Sequence, residues 1–209
     1  MTTATPEIFR RLTGQPDVTR LHRKKTALLL IDFQTEHFTG LLPVENQEAL
    51  IAATVRATDW ADKNKILTVH VCHQAKSPSA LAFAPESEGV SFYPPLLPRK
   101  KHLIQIKHAD SAFSGTPLHA TLQTAGIDTL ILAGISTPSS VTSCAHDARV
   151  LGYKCVVAAD LTASRDVMSW DETRVIPAAK MQETALANIA DKYARVMRFD
   201  DIEALPFEK

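Results

Sequence analysis

The chain has 209 residues, 45% of them apolar, which is enough for one domain with a sizeable core. Its 23 basic residues balance its 23 acidic ones, so the charge gives no sign of nucleic acid or an anionic membrane surface as a partner. Cys72, Cys144 and Cys155 are odd in number and lack C-x-x-C spacing, which argues against a disulfide frame or zinc knuckle and fits a reducing, cytoplasmic location.

Residues 1–23 contain no long apolar core of the secretory-signal kind. They are expected to form an N-terminal arm outside the core, with residues 24–209 folding as one domain. No run approaches the roughly 18 apolar residues of a membrane span. The first strong signal is "TALLLIDFQ", Thr26 to Gln34, and four more runs of this kind follow. They are "KILTVHVCH" from Lys65, "HLIQIKH" from His102, "DTLILAGIS" from Asp128 and "KCVVAADLT" from Lys154, with a weaker sixth, "ARVMRFDD", from Ala194. Continuous apolar runs of this length predict strands buried on both faces.

Helix-period segments lie between these runs. "ENQEALIAATVRATDWADKN" places Leu50, Ile51, Val55 and Trp60 near one face. "TPLHATLQTAG" and "SSVTSCAHDARVLG" both stop at a glycine, a common helix end. A last segment, Trp170 to Tyr193, carries Pro177 inside it, which predicts a kink or a break. The stretch from Gln74 to Arg99 is long, Pro-rich and irregular, the kind of loop that acts as a lid or a partner-binding element. The basic "PRKKH", Pro98 to His102, reads as a solvated loop. Strands alternating with helices predict an α/β fold with a mainly parallel, doubly wound, six-stranded sheet in a three-layer α/β/α sandwich.

Ligands of such sheets bind beyond the carboxyl ends of the strands. Asp32 ends the first strand, His70 and His73 the second, and Lys107 and His108 the third. The Ser136–Ser140 turn follows the fourth strand, and Asp160 lies at the end of the fifth. A carboxylate, an ammonium and a hydroxyl could therefore share one crevice. Each also has a plainer reading: Asp32 as a turn cap, Lys107 as a rim charge, Ser140 as a helix N-cap.

"ALLLIDFQ", "IKHADSAFSGTPLHATLQTAGIDTLILAGIST" and "VTSCAHDARVLGYKCVVAADLTAS" together resemble the isochorismatase-like hydrolase family, also called cysteine hydrolases, in order and spacing. That family includes nicotinamidases and carbamoylsarcosine amidohydrolases. The resemblance implies a catalytic set of Asp32, Lys107 and Ser140, with Ser140 standing where the family carries a nucleophilic cysteine. It also implies a cis peptide between Ile135 and Ser136, with the backbone N–H groups of Ser136 and Ser140 forming an oxyanion hole. Phe38, His73, Phe113 and Thr137 are the expected pocket walls. The zinc signature of nicotinamidases is absent after the second strand, so no metal and no cofactor are expected. The implied partners are a small-molecule substrate and further copies of the chain, as a dimer or tetramer.

A serine hydroxyl is far less acidic than a thiol and needs a good general base. The first functional expectation is therefore vinyl-ether hydrolysis with Asp32 as the acid and Lys107 as its electrostatic partner. The alternatives are hydrolysis of an amide or ureido C–N bond with Ser140 as nucleophile, or a catalytically silent member that acts by binding or assembly. Cys144, four residues beyond Ser140, is expected in the core.

Overall fold

The structure, a computed structural model, describes residues 5–208. In chain order its strands are β1 (Thr26–Ile31), β2 (Leu67–His73), β3 (Leu103–Lys107), β4 (Thr129–Ile135), β5 (Lys154–Ala163), β6 (Val167–Met168), β7 (Val175–Ile176) and β8 (Arg195–Met197). Its helices are α1 (Phe9–Leu12), α2 (Gln47–Asn64), α3 (Leu118–Thr124), α4 (Thr142–Val150), α5 (Ala178–Lys192) and α6 (Phe199–Glu203). Six strands form one sheet in the order β3-β2-β1-β4-β5-β8, and every pairing in it is parallel. All six residues of β1 are buried, as its continuous apolar sequence requires.

Side chains alternate across the sheet, so β1 feeds two cores. Leu28 and Leu30 join Trp60 of α2 and Phe199 of α6 on one face. Ala27, Leu29 and Ile31 join Leu118 and Leu122 of α3, Cys144 of α4 and Ile189 of α5 on the other. These are the three expected layers. The strand order reverses between β1 and β4, and at this switch point the carboxyl ends of the strands open a crevice.

Three expectations are corrected. The segment before residue 24 is partly inside the core, because Val18 and Leu21 are buried in the α2-side cluster. Burying a leucine is worth about 2 kcal/mol, and backbone bonds from Leu21 N to Pro206 O (3.0 Å) and from Glu208 N to Leu21 O (2.8 Å) hold this one in place. The segment from Trp170 is not one kinked helix. Pro177 precedes α5 directly, and the residues before it form the antiparallel β6–β7 hairpin. The basic stretch also does more than meet solvent: Arg99 donates to both Asp59 and Asp62 of α2, each at 2.6 Å.

Candidate active site

Asp32 stands one residue beyond β1. Its φ of +56° lies in the left-handed region, which Asp tolerates better than most residues. The backbone there is fixed on both sides, with Asp32 N donating to Val71 O (2.9 Å) and Gln34 N donating to Asp32 O (2.8 Å). Next to it, Gly134 of β4 passes so close that a Cβ would lie 2.4 Å from Ile31 O. The Ile135–Ser136 peptide is cis. A wide turn of π type, Thr137–Val141, then leads into α4, with Val141 N reaching back to Ser136 O (3.2 Å). The Thr137 hydroxyl anchors this turn, lying 3.0 Å from Ala163 O and 2.6 Å from Gln182 Oε1.

The three strand-end residues meet. Lys107 Nζ lies 2.7 Å from Asp32 Oδ2 and 3.0 Å from Ser140 Oγ, and the Ser140 hydroxyl donates to the same Asp32 oxygen at 2.8 Å. Lys107 is fully buried, and the carbonyls of Ala109 (3.2 Å) and Asp110 (2.9 Å) complete its shell. Asp32 Oδ2 thus takes both polar contacts, while Oδ1 is buried with no hydrogen-bond partner. Two effects compete at this carboxyl. Burial raises its pKa, and the ammonium of Lys107, the hydrogen bonds of Lys107 and Ser140 and the nearby backbone of His73 lower it; burial prevails, and the pKa stands at about 6.

Asp32, Ser136 and Ser140 open onto a cleft of about 150 Å³, together with His37, His73 and Arg165. Phe83, from the long Gln74–Arg99 loop, sets its edge against both histidine rings at 5.2 and 5.1 Å. Gln34 pins that loop: its amide donates to His73 O and Val90 O, both at 2.8 Å, and accepts from His73 N at 2.8 Å. Burial pushes His37 down to about 4 and lowers His73 as well, so both rings favour the neutral form. A larger cavity of about 500 Å³ lies elsewhere, between the start of α2 and the start of α5. It contains none of the three strand-end groups, and we take the smaller cleft as the site because the reactive side chains converge there.

Of the expected pocket walls, only His73 lines this cleft. Phe38 stacks on Tyr93 at 4.1 Å within the α2-side core, and Phe113 stacks on Tyr153 at 5.9 Å on the opposite side. Thr137 is buried by its bonds to β5 and α5. His70 points away too, toward His102 Nδ1 at 3.0 Å. Asp160 accepts from Phe199 N (2.8 Å) at the start of α6 rather than joining the cluster. Cys144 is fully buried and accepts from Ala112 N (3.1 Å), with its thiol pushed up to about 12 by burial. His37 and Arg165 were not foreseen from the sequence, and Phe83 was expected only as part of the long loop read as a lid. His37 had a usable signal, since it follows Asp32 closely in the turn beyond β1. Among the described residues no three His, Cys, Asp or Glu side chains converge in a way that could hold a metal ion.

The comparisons with known proteins agree with this fold. The isochorismatase domain model matches residues 26–201. The crystal structure of an isochorismatase from Pseudomonas putida KT2440 superposes with a TM-score of 0.85 at 32% identity, covering 94% of this chain and 98% of that one. The secreted isochorismatase effector Isc1 of Verticillium dahliae is 26% identical over 93% of this chain and 98% of its own length. Streptothricin hydrolase of Streptomyces noursei is 28% identical over 87% of this chain and 64% of its own. With the superposed fold and a domain match spanning β1 to α6 in agreement, the chain belongs to the isochorismatase family of hydrolases.

Proposed function

We propose that the protein hydrolyses a small vinyl ether, with Asp32 as general acid. The observation that carries this reading is the asymmetry of the Asp32 carboxyl. Oδ2 is held by Lys107 and Ser140, while Oδ1 is buried, unpartnered and free to carry a proton. A carboxyl group with a pKa near 6 holds that proton in a useful fraction of molecules near neutral pH. Asp32 delivers it to the enol-ether carbon, and the ether oxygen stabilises the resulting cation. Water adds to the cationic carbon and its surplus proton returns to the Asp32 carboxylate. The hemiketal then breaks to an alcohol and a ketone. Lys107 stabilises the carboxylate formed in the first step. Arg165 gives the cleft a guanidinium, so a substrate bearing a carboxylate fits it best.

A second reading rests on the 2.8 Å bond from Ser140 to Asp32. Ser140 attacks an amide or ureido carbonyl while ionised Asp32 takes its proton, and the N–H groups of Ser136 and Ser140 receive the oxyanion. An Asp with a pKa near 6 is a better base than an ordinary one, but a serine hydroxyl remains a poor partner for it. The two readings are tested together by assaying the protein on a panel of carboxylate-bearing vinyl ethers and amides, with intact-mass spectrometry during turnover. Vinyl-ether cleavage without a mass adduct supports the first. Amide cleavage with an acyl group on Ser140 replaces it with the second, and ligand binding without turnover of either class indicates the silent member.

Among the described residues no helix is long and apolar enough to cross a membrane. Three buried free thiols suit a reducing compartment, and we place the chain in the cytosol on that ground. Fractionation of the source cells tests this placement, and recovery of the protein outside the cell would refute it.

A further inference from the structure

Gln182 stands in the second turn of α5, between the Thr137–Val141 turn and the 500 Å³ cavity, which it lines. Its amide uses all of its bonding capacity. Oε1 accepts from the Thr137 hydroxyl at 2.6 Å and from the Ser164 hydroxyl at 2.8 Å, one for each lone pair. Nε2 donates to Thr162 O at 3.2 Å and to Thr162 Oγ1 at 2.9 Å, one for each hydrogen. A carbonyl only accepts, so the contact with Thr162 O settles which end of the amide is nitrogen. Thr137, Thr162 and Ser164 are all buried, so these bonds are shielded from water.

The two hydroxyls that share Oε1 belong to two different parts of the cleft. Thr137 opens the turn that carries Ser140 to Asp32, and its carbonyl accepts from the Thr142 hydroxyl (2.6 Å) where α4 begins. Ser164 directly precedes Arg165, the guanidinium of the cleft. The pairing of β4 with β5 ends at Ile135 and Ala163, just short of both segments. Beyond that point the shared oxygen of Gln182 joins them. Its own support is firm, since Ala185 and Ile189 of the same helix are buried.

We propose that Gln182 is a positioning residue of the active site, its one amide setting Ser140 against Asp32 through Thr137 and setting Arg165 in the cleft through Ser164. The proposal rests on the reading of the smaller cleft as the site, and not on which bond is broken there. Its two legs have separable effects. Without the Thr137 leg the turn shifts and the Ser140 hydroxyl leaves Asp32, which lowers kcat. Without the Ser164 leg Arg165 loses its place, which raises KM for a substrate bearing a carboxylate. Misplacement by about 1 Å through a remote change can cost about 100-fold in rate.

Kinetics on a carboxylate-bearing vinyl ether test this with Gln182→Met, which keeps the length of the side chain and removes the amide. The change should lower kcat and raise KM, each by about tenfold. Thr137→Val should reproduce the fall in kcat alone, Thr137→Ser should recover it, and Ser164→Ala should reproduce the rise in KM alone. With Ser140→Ala already in place, Gln182→Met should still raise KM but lower kcat no further. A second measurement needs no turnover. The Asp32 carboxyl, followed by carbon NMR, should titrate higher in Gln182→Met and Thr137→Val, as in Ser140→Ala, because each takes a hydrogen bond from its ionised form. Thermal unfolding of each variant separates these effects from lost stability. A Gln182→Met protein that is less stable but keeps its KM and its Asp32 titration overturns the proposal. If no vinyl ether is turned over, the proposed chemistry falls and the titration alone decides: a midpoint moved upward supports the role of Gln182, and an unmoved one overturns it. If Gln182→Met does not fold, Thr137→Val and Ser164→Ala carry the same test, and effects that do not divide between kcat and KM overturn it.

Discussion

The ammonium of Lys107 lies 2.7 Å from Oδ2 of Asp32, and both side chains are buried. Breaking a buried pair is costly because the remaining charge has no water to turn to. Lys107→Met should cost about 3 kcal/mol or more at neutral pH. The deficit should narrow in acid. Without its counter-ion the Asp32 carboxyl titrates above its present value of about 6. A raised folded-state carboxyl pKa means stability that is present at low pH and lost as pH rises through that pKa. Urea denaturation of both proteins at about pH 5 and about pH 8 measures the change.

Asp32→Asn should abolish vinyl-ether turnover, a loss of at least about a hundredfold for a general acid. It should still fold, because Lys107 keeps the carbonyls of Ala109 and Asp110 and the hydroxyl of Ser140 as acceptors. Ser140→Ala should cost only about tenfold, or about 1.4 kcal/mol of barrier. Steady-state kcat/KM on one confirmed substrate ranks the two. Equal loss in both variants would move catalysis to the serine.

The pH profile separates the same readings. General-acid catalysis needs the protonated carboxyl, populated below about pH 6. Activity should therefore be high in acid and fall as pH rises through that value, losing about tenfold per further unit. A serine nucleophile assisted by ionised Asp32 gives the opposite slope. Measurement of kcat/KM from about pH 4.5 to about pH 8.5 decides the sign.

Gly134→Ala should be poorly tolerated. Its Cβ would meet Ile31 O at 2.4 Å, backbone against side chain, between the two central strands. The strands must part next to Asp32, so a stability loss of at least about 2 kcal/mol should accompany a fall in kcat. Thermal unfolding and turnover on the same preparation test whether the two losses occur together.

Gln34→Leu should release the long loop without unfolding the domain. The change removes the amide contacts to His73 N, His73 O and Val90 O. Orphaned buried backbone groups cost about 1–3 kcal/mol each. Limited proteolysis should then cut between residues 74 and 92, where the wild type resists, and KM should rise as Phe83 leaves the cleft wall.

The sheet and the cluster at its strand ends were legible in the sequence for one shared reason. A strand buried on both faces must be apolar throughout, so the first polar residue after "ALLLI" marks both the strand end and Asp32. Of the walls of the cleft, His73 was legible at the end of its strand and the aromatic ones were not. Phe38, Phe83 and Phe113 are all aromatic residues in irregular segments, and long-range packing alone sends Phe83 to the histidines and the other two into the core. The hairpin was hidden because its four strand residues are too few to show an alternation, and the helical pattern of α5 masked them. Leu21 is a single apolar residue in a polar stretch, and its burial depends on the far end of the chain, at Phe207.

The wide turn at Thr137–Val141 sets a phase as well as a shape. Each residue of an α-helix advances about 100° around the axis. The turn holds one residue more than an α-helical turn would, and so lets two orientations be chosen separately: Ser140 toward Asp32, and Cys144, Ala145 and Ala148 toward the sheet. With that residue removed, the end of β4 and the start of α4 could satisfy only one of them. The segment should accordingly bear a change of residue type at Ser139 far better than a change in the number of residues. A single deletion there would misalign the site while every named catalytic side chain was still present in the sequence.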